Sequence, residues 1–99
     1  MPHVQMTASG VLVRRLGAPL TEKSWNREVE FRPGQTLGQL LAQLAQAESR
    51  FSEVITDGYR FHPGVLLVYN GQACGWASAA QRELLDSDSI AFYPVLAGG

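Results

Sequence analysis

The residue types able to do chemistry in this 99-residue chain are few, and the most informative pair stands at its end. Gly98 and Gly99 follow directly on Pro94-Val95-Leu96-Ala97. Two residues without Cβ make a thin strip that enters a narrow channel and takes up backbone angles closed to other residues. At its tip the α-carboxylate is the only group presented, which suits a reaction in which that carboxylate is itself the reacting group. The competing reading is a frayed terminus, since chain ends tolerate disorder and change. Pro94 and the apolar pair Val95-Leu96, with no Ser-rich or tag-like character around them, favour a functional tail.

The remaining candidates have simpler explanations. His3 and His62 stand in no His/Cys/carboxylate ligand spacing and read as surface or turn residues, so no metal is expected. Cys74 is alone, so no disulfide framework exists within the chain. With no flanking nucleophile motif, Cys74 reads as a small buried hydrophobe. Asp86 and Asp88 could pair for acid–base work, but their place before a strand favours side-chain caps on a tight turn. No phosphate-binding glycine loop or dinucleotide fingerprint is present. Trp25 and Trp76 lack an interleaved basic patch and read as packing or partner contacts. An enzyme needs converging groups in a pocket. With none in sight, a carrier or binding module is expected.

The elements must therefore form a scaffold that positions a tail. Hydrophobic residues make up 45% of the chain, and the eight basic and nine acidic residues give a net charge of −1. That suits one small domain and gives no support to nucleic-acid or membrane binding. No apolar run approaches the roughly 20 residues of a membrane span. Met1-Pro2-His3 lacks the basic and apolar regions of a signal peptide, so a cytoplasmic location is expected. Val4, Met6 and Ala8 share a face at period two, and Val11 and Val13 continue the apolar stretch, which predicts a strand over 4–16 with a bulge near Gly10. Residues 25–31 alternate Trp25, Arg27, Val29 and Phe31 against Asn26, Glu28 and Glu30, a second strand antiparallel to the first. Thr36 caps the clearest helix, with Gln39 as its capping-box partner and Leu37, Leu40, Leu41, Leu44 and Ala45 as its apolar stripe.

Residues 49–63 read as irregular. Val65 to Tyr69, apolar on both faces, suits a central strand. Asn70-Gly71 is a hairpin turn, followed by a short strand over 72–76 and a short helical piece over 78–85. After the Asp86-Ser87-Asp88 turn, Ser89 to Tyr93 forms the last strand, with Ile90 and Phe92 entering the core. The layout is α+β, a mixed sheet of four to five strands with one main helix packed across it. The domain occupies 1–93 and the tail 94–99.

The stretch from Leu84 through Asp86-Ser87-Asp88, the strand, Pro94 and Gly98-Gly99 resembles the C-terminus of the MoaD/ThiS family, small ubiquitin-like sulfur carriers of the β-grasp fold. Val65 to Gly71 is similar to that family's strand ending in Val-x-Asn-Gly, and the helix from Thr36 fits its grasp helix. Ser87 departs from the usual Gly of the turn, and the segment through Glu22 has no close counterpart. The resemblance implies a protein cosubstrate without catalytic groups or a bound cofactor. An E1-like adenylyltransferase uses ATP to activate Gly99, a persulfide donor converts it to a thiocarboxylate, and a biosynthetic enzyme accepts the sulfur. Gly98 then threads the partner's channel, while Pro94, Val95, Leu96 and Ala97 guide the tail and fill the partner's groove. Two alternatives stay open: a ubiquitin-like modifier conjugated through Gly99, and a β-grasp interaction module. The acceptor also stays open among molybdopterin, thiamine, cysteine, a tRNA base and a specialised metabolite, with Phe92-x-Pro94 and the chain length leaning toward the MoaD branch.

Overall fold

The computed structural model describes residues 2–95. In chain order the elements are β1 (His3–Ala8), α1 (Val11–Arg15), β2 (Trp25–Glu30), α2 (Leu37–Ala47), α3 (Ser49–Val54), β3 (Val65–Tyr69), β4 (Gln72–Cys74), α4 (Trp76–Ala80) and β5 (Ser89–Pro94). The five strands form one sheet in the order β2-β1-β5-β3-β4. β1 and β2 pair antiparallel from His3↔Glu30 to Ala8↔Trp25. β5 enters beside β1 in parallel, with Met6 opposite Ile90 and Ala8 opposite Phe92. It pairs antiparallel with β3, with Leu67 opposite Phe92. This is the β-grasp arrangement, and β5 is its middle strand.

Alternation decides which side chains meet the helices. Val4 and Met6 from β1, Ile90 and Phe92 from β5, and Leu67 from β3 are fully buried against Leu37, Leu40 and Leu41 of α2. Phe51 of α3 packs edge-on against Phe92, ring centroids 6.0 Å apart. Full burial of each such side chain stabilises by about 1.5–3 kcal/mol. α2 starts as its sequence dictates. The Gln39 N–H donates to Thr36 Oγ1 at 3.2 Å, and the Thr36 N–H donates to Gln39 Oε1 at 3.0 Å. These two bonds satisfy donors that the first helical turn leaves unpaired. No helix among the described residues is long and apolar enough to cross a membrane.

Three expectations need correction. The strand predicted over 4–16 ends at Ala8, and Val11–Arg15 is helical. Leu12 and Val13 are both buried as neighbours on the core-facing side of a helical turn, a pairing that the alternation of a strand does not favour. The turn at Gly10, φ 63° and ψ −143°, is what swings the chain into α1. Second, the stretch 49–63 contains α3, whose Phe51 and Val54, with the C-cap Ile55, follow helical spacing over a run too short to stand out. Third, the helical piece expected over 78–85 lies at Trp76–Ala80. Residues beyond it run extended, with Glu83 bridged to Thr36. β3 is central, as expected, with β5 and β4 on either side, and Leu66 on its outer face is 37% exposed, so the helices leave that apolar face open.

Candidate functional site

The site is built around β5, starting at the turn that feeds it. Asp88 is 6% exposed and acts wholly as an acceptor. Its Oδ2 accepts from the Leu85 N–H at 2.9 Å and from the Tyr69 hydroxyl, and its Oδ1 accepts from Asn70 Nδ2 at 3.0 Å. Asn70 Oδ1 in turn accepts from the Ser89 N–H at 2.7 Å. Burial alone pushes the Asp88 carboxyl up. The hydrogen bonds from Tyr69, Asn70 and Leu85, with the Arg82 charge, outweigh it and hold the group below the usual carboxylate range. Tyr69 moves the other way, raised well above its ordinary value by burial and by its bond to the carboxylate. Asp86 Oδ1 accepts from the His3 N–H at 2.9 Å, and the Ser87 N–H donates to the His3 carbonyl at 2.8 Å. Ser87 itself has φ 70°, the left-handed conformation that the resemblance assigns to a glycine. The two aspartates are turn anchors that fix the register of β5 against β1 and the β3–β4 hairpin.

The far end of β5 is where the chain leaves the sheet. The Ser9 N–H donates to the Phe92 carbonyl at 3.2 Å, and the Val95 N–H donates to the Gly64 carbonyl at 2.8 Å. Pro94 is the last residue of β5 and lies opposite Val65, so the ladder runs past the boundary drawn at 93. Leu66 and Tyr93 face each other across β3 and β5. With Val95 they are exposed by 37%, 44% and 49%. Opposite partners share a face, and Val95 follows Tyr93 at the strand period of two, so all three line the outer side of the exit. Leu96, Ala97, Gly98 and Gly99 lie outside the described residues. Four residues span at most about 13–14 Å, which bounds how far from Val95 a partner can engage Gly99.

The other sequence candidates are not brought to this exit. Cys74 is opposite Leu67 in the register, half-buried against the core. The His3 ring stands between Glu28 and Glu30, at 3.6 and 3.4 Å. His62 meets the Ser52 carbonyl. Trp76 packs on Phe61 with centroids 5.0 Å apart, and Trp25 packs on Phe51 at 6.4 Å, so both tryptophans are packing residues. A cleft of about 480 Å³ is open, polar and lined by Arg32, Pro33, Gly34, Gln35, Gln39 and Gln43. It follows the end of β2, which pairs with the start of β1, and so lies at the opposite end of the sheet from Pro94. Sequence reasoning missed Leu66 and Tyr93 as surface residues. Their signal was present in the apolar outer faces of β3 and β5, which no second layer among the described residues covers.

The sequence model of the ThiS family matches residues 15–99. No curated protein matches the chain at a significant level. Among solved structures, SAMP1 from Haloferax volcanii shares 20% identity at a TM-score of 0.69, over 98% of this chain and 99% of that one. Urm1 from Trypanosoma brucei shares 20% identity at a TM-score of 0.67, over 99% and 96%. A chain in the BexX/CysO complex of Amycolatopsis orientalis shares 21% identity at a TM-score of 0.59, over 95% and 99%.

Proposed function

The chain belongs to the ThiS family, and on that premise we propose that it is a sulfur carrier whose reacting group is the carboxylate of Gly99. The observation that carries this reading is the exit of β5. A strand anchored at its entry by Asp88 delivers the chain beside an exposed apolar strip of Leu66, Tyr93 and Val95. In this reading the chemistry is supplied by partners.

In this mechanism an E1-like adenylyltransferase docks on the exit strip and draws residues 96–99 into its channel. A Gly99 carboxylate oxygen attacks the α-phosphorus of ATP, and pyrophosphate leaves. The terminal sulfur of a persulfide then attacks the activated carbonyl and AMP leaves. A thiol cleaves the resulting acyl disulfide, giving the Gly99 thiocarboxylate and a disulfide. A biosynthetic enzyme takes that sulfur, and Phe92-x-Pro94 points toward the molybdopterin branch. This chain supplies the carboxyl group, the narrow Gly98-Gly99 strip and the docking surface. ATP is consumed by the partner.

ATP–pyrophosphate exchange with the cognate adenylating enzyme tests the reading. Deleting Gly99 withdraws the carboxylate by about 3.3–3.6 Å, and misplacement of 1 Å costs on the order of a hundredfold. We expect at least that loss, with an unchanged melting curve. Intact mass after adding a sulfur donor separates outcomes that share the adenylation step. A thiocarboxylate marks the carrier, and conjugates of higher mass mark a protein modifier. Normal exchange by the Gly99 deletion sinks both and leaves a β-grasp interaction module.

A further inference from the structure

Gly10 stands where β1 turns into α1, far in sequence from Pro94 and against it in space. Its φ of 63° and ψ of −143° fall in a region that essentially only glycine occupies. A Cβ added there would lie 2.7 Å from Pro94 Cγ and 3.3 Å from Pro94 Cδ, so the proline ring rests on the glycine backbone. The junction cannot drift, because Leu12 and Val13 of α1 are buried at 2% and 3% exposure, and the Ser9 N–H is bonded to the Phe92 carbonyl. On the other side of β5, the Gly64 carbonyl accepts from the Val95 N–H at 2.8 Å. The last described residues of the chain are thus held from two sides, by segments that belong to different elements.

We propose that Gly10 and Gly64 form a clasp that sets the position and direction in which the chain is delivered at Val95, which makes Gly10 a positioning residue for the reaction at Gly99. The proposal deepens the carrier reading and rests on it for the identity of the reaction. The physical reason is reach. Between Val95 and Gly99 the chain spans at most about 13–14 Å, so a shift in where the chain is delivered at Val95 changes how far into the partner's channel Gly99 can be drawn, where misplacement of about 1 Å already matters. Without the clasp, Pro94 and Val95 would be the fraying end of a strand.

Three variants test it: Gly10→Ala, Pro94→Ala and Gly17→Ala. Gly17 shares the positive φ, at 88°, but its Cβ would meet the Arg50 side chain and not Pro94. It therefore controls for backbone strain. Amide hydrogen exchange reads the clasp directly. In Gly10→Ala and in Pro94→Ala the Val95 amide should exchange at least tenfold faster, with the Ile90 to Tyr93 amides unchanged. In Gly17→Ala all should stay as in the wild type. In pyrophosphate exchange, kcat should fall at least tenfold in Gly10→Ala with KM within about threefold, because docking is retained and delivery is not. If Gly10→Ala fails to fold, Pro94→Ala alone decides the matter through Val95. Wild-type protection of Val95 in that variant overturns the clasp. So does a kcat loss of the same size in Gly17→Ala. If wild-type protein is not adenylated, the carrier reading fails, and the Val95 amide still decides the clasp.

Discussion

At the scale of single residues, the turn before β5 concentrates most of the specific chemistry. All three partners of the Asp88 carboxylate donate. An asparagine has one acceptor oxygen, so its NH₂ would face a donor. Asp88→Asn should therefore destabilise the fold by about 1.5–3 kcal/mol at neutral pH, the range for hydrogen bonds to a charged group. The folded carboxyl lies below its ordinary value of 3.8, so its contribution is complete above that pH and is lost as pH falls through the lower folded value. Urea unfolding of wild type and Asp88→Asn should show a gap at pH 7 that narrows below about pH 4. A gap independent of pH would remove the charge from this account. Ser87 offers the opposite case. Its φ of 70° costs an L-residue about 1–2 kcal/mol, more than the unfolded-state entropy that glycine adds. Ser87→Gly should raise the melting temperature by a few degrees. An unchanged value would show that the serine hydroxyl makes a compensating contact.

At the scale of elements, α2 illustrates how packing reverses a local preference. Gly38 sits in its first turn, where alanine is favoured by about 1 kcal/mol on helix propensity. A Cβ there would lie 2.8 Å from Ala80 Cβ and 2.9 Å from the Ala80 carbonyl oxygen, so α4 would have to move away. Overpacking of this kind costs about 1–3 kcal/mol, and we expect Gly38→Ala to lose about 1 kcal/mol net in denaturant unfolding. A gain in stability would show that α4 yields freely. The same elements show how far local signals reach. The cap and apolar stripe of α2 were legible because they lie within contiguous residues. α1 and α3 are too short for periodicity to establish itself. Both are held by burial of Leu12, Val13 and Phe51 against the sheet, which no local window displays.

For the whole molecule, the sheet brings the exit of β5 and a side-chain amine to one end. Lys23 is the chain's one lysine, exposed in the segment between α1 and β2. β2 begins there, with Trp25 opposite Ala8 and Ala8 opposite Phe92, so Lys23 shares the sheet end from which β5 leaves. If Gly99 is adenylated and no sulfur donor is present, acyl transfer to a side-chain amine of the same protein has one destination. Peptide mass spectrometry should find any such isopeptide bond at Lys23, and Lys23→Arg should abolish it without lowering pyrophosphate exchange. Loss of exchange in Lys23→Arg would instead place Lys23 in the docking surface.

The sequence by itself determined the elements whose causes are local. Thr36 and Gln39 cap α2. Asn70 and Gly71, at φ 49° and 86°, make the two-residue turn their types demand, and alternation put Ile90 and Phe92 inward. It also carried the terminal Gly98-Gly99 pair and the spacing that points to the ThiS family. Only the tertiary structure decided that β5 is the middle strand, that the outer faces of Leu66 and Tyr93 stay open, and that Asp88 also holds Tyr69 and Asn70 of the β3–β4 hairpin. It alone brought Gly10 against Pro94. These are contacts between residues distant in the chain, created when the sheet closes around β5, and no property of either residue alone encodes its partner.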